Sequence, residues 1–539
     1  MMVSMNPSST SMTILDPEEE KLEDIPSSTS ASFAAAVSEE FVDEFDTTTD
    51  SAWQQQHHKR KNKFRVALAF VVVVFLSVIL GVALTHKNQN HTTIVQPSSS
   101  SSSSNSDDGC PHKTNHPQQH SMPFILEETT LKGSDAFPQD EFGFSVAVDE
   151  ESNIAVIGAP GDGETESGMV YIFQRSGDTW VQQHKIRSPH IGDFFGNSVA
   201  ISGRTMVVGA FADDTHGVFS GSARVFVQEK ESTTNQDGVG GEWVHQQVLT
   251  AHDPSEYDHF GSSVGIDGDT IVIGSYRDDH NQNVDPNIKI DEGPTVLQDG
   301  GSAYVFVRSN NSWEEKAKLV PKDNEYKDEF GRSLAIHGDT IVIGAWREGE
   351  CAYVFTRSSS TGAWSEVQTL TASDANYNDA FGTSVDIHED TIVVGAIHDD
   401  HNGHPDAGSA YVFVRSGDDN KWVEQDKLMA TDSDNGDHFG ISVAIHGDVA
   451  VIGASKGNMD GGLWNTGSAY VFQRNDDNDW TQVSKLQGHD TAPNDHFGAA
   501  VAMDRNTLVV GAFYLDWEGM DFESGSAYMF RVEEDCDSP

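Results

Sequence analysis

The sequence predicts an all-β fold, a seven-bladed propeller of four-stranded blades, preceded by a disordered tail, one transmembrane helix and a Ser-rich stalk. Three observations predict it. A short hairpin, as in "DHFGISVAIHGDVAVIGA" (437–454), is written seven times. Four strand-like signatures recur in fixed order with each copy, and no long helical period interrupts them.

From the N-terminus, residues 1–64 are rich in Ser, Thr, Asp and Glu, and the basic stretch "HHKRKNKFR" (57–65) runs across their C-terminal boundary. Such a composition buries too little apolar area to offset backbone ordering, so a disordered acidic tail is expected. Residues 65–85 hold Val66–Leu84, nineteen uncharged residues that as a helix span roughly 28 Å, one hydrocarbon core. The basic flank on its N-terminal side places the tail in the cytoplasm and everything beyond Leu84 outside the cell or in a lumen. Residues 86–121 contain "PSSSSSSSNSDD", a flexible stalk. Asn90 in the stalk and Asn310 beyond it head glycosylation sequons, both on the outer side.

The repeats occupy 122–535. The first signature, "FG-x-S-V", starts at Phe142, Phe195, Phe260, Phe330, Phe381, Phe439 and Phe497. The second, "T-I-V-V/I-G-A", carries Gly158, Gly209, Gly274, Gly344, Gly395, Gly453 and Gly511. The third is "GSAYVF" and its variants, and the fourth opens on Trp180, Trp243, Trp313, Trp364, Trp422 and Trp480. Each is short, alternating, β-branched or aromatic, and bounded by Gly, Asp or Asn, which reads as a strand. Four strands in seven copies spell a propeller: small residues sit on the first strand, where blades crowd the axis, and Trp on the fourth, where they splay apart.

Only six Trp strands accompany seven first strands. The segment "MPFILEETTLKG" (122–133) fits the vacant outer slot of the last blade, with Phe124 standing for Trp and Leu131 for Leu428. Closure by this strand brings Cys110 and Cys536 to one seam, where an oxidising compartment is expected to pair them. Cys351, in place of the Ser of "GSAYVF", is expected to be a buried, inert thiol.

The repeats resemble the FG-GAP repeats of the integrin α-subunit N-terminal propeller, and "FGFSVAV" (142–148), "IAVIGAP" (154–160) and "GMVYIF" (168–173) make the closest copy. The resemblance implies adhesion and extracellular ligand recognition, with ligands met on the face of the 4→1 and 2→3 loops. It also implies calcium cages between the first and second strands. Here that loop shrinks to "HGDT" (337–340), "HEDT" (388–391) or similar, too short for the six or so oxygens calcium takes. Calcium remains a possible cofactor elsewhere, on the long loops.

Those long loops are acidic, and the upper face is expected to be a ring of carboxylates over a lower face of short turns. Candidate ligand or cation residues are the pairs Asp213 and Asp214, Asp278 and Asp279, and Asp399 and Asp400, which occur in some blades only. Asp432, Asp434 and Asp437 in "DSDNGD" resemble half a calcium loop. His280, His401 and His404 follow the aspartate pairs without metal-demanding spacing. The aspartate two residues before every "FG" phenylalanine, from Asp140 to Asp495, is expected to accept backbone N–H groups in the turn.

With 85 acidic against 33 basic residues and a formal charge of −52, the chain repels phosphate backbones, and nucleic acid is not an expected partner. No nucleophile-elbow, zinc-helix or phosphate-loop pattern occurs, so no catalytic residues are assigned. The expected function is a single-pass, cell-surface recognition or adhesion protein binding an extracellular protein or glycan through the acidic face. The alternatives are a glycan-processing propeller with a carboxylate pair in the central funnel, and a structural wall protein.

Overall fold

The computed structural model describes residues 124–135, 139–162, 167–229, 241–279, 299–323, 327–347, 349–417, 421–457, 465–513 and 525–533. The tail, Val66–Leu84, the stalk with Asn90, Cys110 and Cys536 lie outside the described residues. Among the described residues no helix is long and apolar enough to cross a membrane.

Twenty-eight strands form seven four-stranded antiparallel sheets. Blades one to six run in chain order from the axis outward, spanning 145–187, 199–249, 263–319, 333–370, 381–428 and 439–486. Blade seven takes its three inner strands from 500–533 and its outermost from Phe124–Leu131. Leu131 pairs with Ala527 as Leu428 pairs with Ala410, the register expected for that slot. The first strands touch one another in a closed circuit, with Ser145–Asp149 meeting Ala500–Asp504 at the seam.

The second strands explain why one blade cannot stand alone. "IAVIGA", "TIVIGA" and their equivalents are buried along their length because both faces meet neighbouring sheets. Each core cluster joins two blades: Val146, Val148, Tyr171 and Trp180 of blade one pack with Val509, Ala527 and Met529 of blade seven. Sheet against sheet buries these apolar faces, about 25 cal/mol per Å2 removed from water.

Near the axis the packing leaves no room for a side chain. A Cβ on any strand-two glycine would lie 1.9–2.1 Å from the carbonyl oxygen of the next blade's "FG" glycine. The "FG" serine caps the same oxygen. Ser145 Oγ donates to Gly196 O, and Ser198, Ser263, Ser333, Ser384 and Ser442 repeat the bond, all at 2.7–2.9 Å.

On the lower face, hairpins such as Asp267–Thr270 and His337–Thr340 turn through two residues, the first at positive φ, as in Gly268 and Gly338. The turn aspartates are exposed and pair with arginines of their own blade. Asp269, Asp339, Asp390 and Asp448 pair with Arg308, Arg357, Arg415 and Arg474, which also lie over their own blade's Trp ring. The same arginines donate to Thr205, Thr270, Thr340 and Thr391 of the preceding blade. One expectation is corrected: the lower face is not uniformly short-turned, because blade two's outer strands are joined by the long connection 229–242. It is a 3→4 loop, on the same face as the two-residue turns.

Candidate functional site

The candidate aspartates divide by depth. Asp213, Asp278 and Asp399 are buried. Tyr304 Oη donates to Asp278 (2.6 Å) and Asp253 (2.9 Å), and Lys318 Nζ reaches the same two carboxylates at 2.7 and 2.8 Å. Burial opposes the Lys318 charge, but Asp278 and Asp253 outweigh it and hold the ammonium above its usual range. Blade five repeats the cluster with Tyr411, Asp374, Asp399 and Lys427, and blade one with Tyr171, Asp135, Asp162 and Lys185. In blades three and five one lysine meets two carboxylates, so part of the acidity foreseen for the upper face is paired beneath it.

The second aspartate of each pair braces its own loop. Asp214 accepts Phe219 N–H (2.7 Å), Asp279 accepts Asp299 N–H (3.0 Å) and Asp400 accepts Asp406 N–H (2.8 Å). In blade six, Asp432 pairs with Lys485 (2.6 Å), and buried Asp437 accepts Asp434 N–H (2.7 Å). The same i−3 bond recurs at Asp258, Asp379 and Asp495, the turn-capping role expected of them. Burial, then Asp278, pushes Asp258 up to about 7, and burial, then Asp434 and Asp432, pushes Asp437 up to about 6.

Blade two breaks the pattern at three positions together. His190, Arg224 and Val248 stand where the other blades carry Asp and Tyr and where blades one, three, five and six carry Lys. Arg224 Nη2 lies 3.1 Å from Asp193 and 3.5 Å from Asp213, all three buried. His190, Asp193 and Asp213 are the one group of three among the described residues with potential metal-ligand atoms within 4.8 Å of one another. The guanidinium already supplies the positive charge there. His280 lies outside the described residues, His401 sets Nε2 against Gly408 O (3.0 Å), and His404 faces Asn435 (3.2 Å). Cys351 is buried, and burial pushes its thiol up to about 12, as an inert thiol requires.

Two features of the upper face were not singled out from the sequence. The first is an aromatic crown at the channel mouth, built from residues just before "FG" and just after strand two. Phe194 stacks on Phe211 (5.4 Å), Phe211 meets His259 (5.2 Å), and His259 Nδ1 lies 2.9 Å from Tyr276 Oη. Arg332 lies over Tyr276, 4.8 Å from its centroid. Across the seam, Phe513 packs edge-on to Phe144 (5.1 Å). Burial holds His259 well below its usual range and pushes His438 and His496 down to about 3 and 4, so these rings are neutral near pH 7.

The second is a concave pocket of about 440 Å3 on blade five, lined by Asn376, Tyr377, Asn378, Asp379, His398, Asp400 and Asp406. Tyr377 is 88% exposed, a large aromatic ring held in water. Asn378 and Ala380 at positive φ shape the turn that presents it, and Asp379 anchors that turn through Asn376 N–H. His398 Nδ1 lies 3.2 Å from Asp406 Oδ1. The pocket thus combines an aromatic platform, amides and carboxylates, donors and acceptors suited to hydroxyl or ammonium groups. The string "ANYND" (375–379), an aromatic among turn formers, was the signal available.

A closed ring of seven blades, with long polar loops gathered over one mouth, defines an integrin α-like β-propeller. The FG-GAP repeat model matches residues 126–173, 180–226, 243–287, 313–355, 364–413, 422–472 and 480–530. The chain belongs to the FG-GAP repeat family. No curated protein matches it.

Proposed function

We propose that this protein is a membrane-anchored recognition protein that binds an extracellular protein or glycan through the upper face of its propeller, without turnover. The observation that carries the reading is the blade-five pocket, where Tyr377 stays exposed above Asp400 and Asp406. An aromatic ring kept in water beside polar groups gains its contact area only when a partner arrives. The apolar run Val66–Leu84 supports the anchor, and Asn310, exposed in a lower-face turn away from the pocket, supports an outward propeller. Binding rather than catalysis is favoured because the upper-face aspartates pushed furthest up, Asp258 and Asp437, are buried turn caps.

The test is a screen of the full-length protein on immobilised glycans and on basic and acidic protein surfaces. Tyr377→Ala and Asp400→Asn are expected to weaken the bound class about tenfold or more while leaving the melting temperature in place. Binding that survives both substitutions, or hydrolysis of any glycan on the array, overturns the proposal.

A further inference from the structure

The lower rim of the channel is where the first strands end. Blades one, two, three and seven end in Asp149, Ser202, Asp267 and Asp504, whereas blades four, five and six end in His337, His388 and His446. The end residue latches the next blade by accepting an N–H from its turn. Gly203 N–H donates to Asp149 (2.6 Å), Gly268 to Ser202 (3.1 Å), Gly338 to Asp267 (2.6 Å) and Glu150 to Asp504 (2.7 Å). Blade five makes the latch with an imidazole: Gly447 N–H donates to His388 Nδ1 at 3.1 Å. That bond requires an unprotonated Nδ1 and assigns the proton of neutral His388 to Nε2.

The three histidines lie ring to ring, with centroids 4.9 Å apart for His337 and His388 and 4.0 Å apart for His388 and His446. The same seam carries a carboxylate that no other blade has. Asp386 stands where the remaining blades keep Ala or Gly, and accepts Ile445 N–H from blade six at 2.8 Å. Asp386 and His388 are two residues apart on one strand, so both face blade six. The charged and titratable groups around them are His337 from blade four, Glu389 in the turn, His446 from blade six, Asp504 and Arg505 from blade seven, and Glu150 from blade one.

We propose that the seam between blades five and six is an acid-released latch: protonating His388 turns the acceptor of Gly447 N–H into a donor, and protonating the adjoining histidines sets like charges one ring apart. A metal site fits less well, because Gly447 occupies His388 Nδ1 and these histidines do not bring three ligand atoms within 4.8 Å of one another.

The signs follow from burial. Burial, then His446 and His337, holds His388 below its usual range; burial also holds His446 below it, against the pull of Asp504. Their neutral forms stabilise the fold fully above the ordinary histidine range of about 6.5, and that contribution is lost as pH falls through the folded values. Asp386 works the other way. Burial pushes it up to about 7, so its contribution is present at low pH and lost as pH rises through that value. A global melt sums the two, and substitution of His388 alone separates them.

The experiment is hydrogen exchange, read by mass spectrometry on the full-length protein. The peptide holding Ile445 and Gly447 is compared with the one holding Gly203, whose latch is the carboxylate of Asp149. Between pH 7.5 and 5.5 the protection ratio of the first to the second is expected to fall about tenfold. His388→Asn, which keeps an acceptor that does not titrate, is expected to hold the ratio constant, and His388→Gln repeats the test if the first variant folds poorly. An unchanged ratio in the unsubstituted protein overturns the latch. So does a fall that persists in either variant, or zinc raising protection of the first peptide at pH 7.5.

Discussion

Gly511 lies so close to Gly143 that a Cβ on the former would sit 2.0 Å from the carbonyl oxygen of the latter. The two are far apart in sequence, yet this is the contact that every blade makes with its successor, and here it shuts the ring. The oxygen of Gly143 differs in one respect from its six counterparts. Ala500 holds the serine position of blade seven, so the hydroxyl that caps the other six oxygens is missing at the closing seam.

The steric half of this contact predicts that Gly511→Ala destabilises the ring by about 1–3 kcal/mol or more, because the opposing atom is backbone and cannot swing aside. Urea unfolding of the full-length protein followed by tryptophan fluorescence measures it. A midpoint unchanged from that of the unsubstituted chain contradicts the packing account.

The polar half predicts the reverse at the neighbouring residue. Ala500→Ser supplies the missing donor to Gly143 O and is expected to raise stability by about 1 kcal/mol, while Ser145→Ala, which strips the bond to Gly196 O, lowers it by a similar amount. The same urea titration reads both. Equal shifts of one sign reject the capping role.

Arg224 neutralises Asp193 and Asp213 from the position where other blades carry tyrosine. Arg224→Met leaves both carboxylates buried without that cation and is expected to cost about 3–5 kcal/mol. The combination His190→Asp, Arg224→Tyr and Val248→Lys rebuilds the cluster of blades three and five and is expected to recover most of the loss. Thermal melts of the single and triple variants decide it, and a triple variant no better than Arg224→Met shows that the three positions do not act together.

Asp258 carries its proton to about pH 7 because of burial and then Asp278. With the folded value above the unfolded one, its stabilising contribution is complete below about pH 4 and lost as pH rises through 7. Asp258→Asn keeps a carbonyl acceptor for Ser255 N–H without ionising. Its melting temperature relative to the unsubstituted protein is therefore expected to climb from pH 5 to pH 8. A flat or falling difference rules out the protonated form.

Lys427 bridges Asp374 and Asp399 at 2.7 and 2.8 Å, the place a divalent cation would otherwise take. The full-length protein is expected to melt alike in calcium and in chelator. Lys427→Met exposes the carboxylate pair and is expected to melt several degrees higher in calcium than in chelator. A rise of more than about 2 °C on adding calcium to the unsubstituted protein would instead make calcium a cofactor of these loops.

The seven copies made the architecture legible, since each carries its own strand period, turn glycines and axial small residues, all set by local chemistry and by spacing along the chain. The outer-strand slot for Phe124–Leu131 was legible for the same reason, as a missing member of a counted set. The fate of the aspartates was not. Asp399 and Asp400 are adjacent and identical in sequence, yet one is 1% exposed under Lys427 and Tyr411 and the other lines the pocket. Which of them turns inward depends on residues from the third strand, the fourth strand and the 4→1 loop, which meet only when the blade closes. Tyr377, the aromatic crown and the row of His337, His388 and His446 were hidden for the same reason: each member is an ordinary loop or strand-end residue until ring closure sets equivalent positions of successive blades side by side. The sequence by itself determined the unit and its number. Only tertiary structure decided which polar groups pair with one another and which stay exposed, because burial and distance between distant segments are properties of the closed ring.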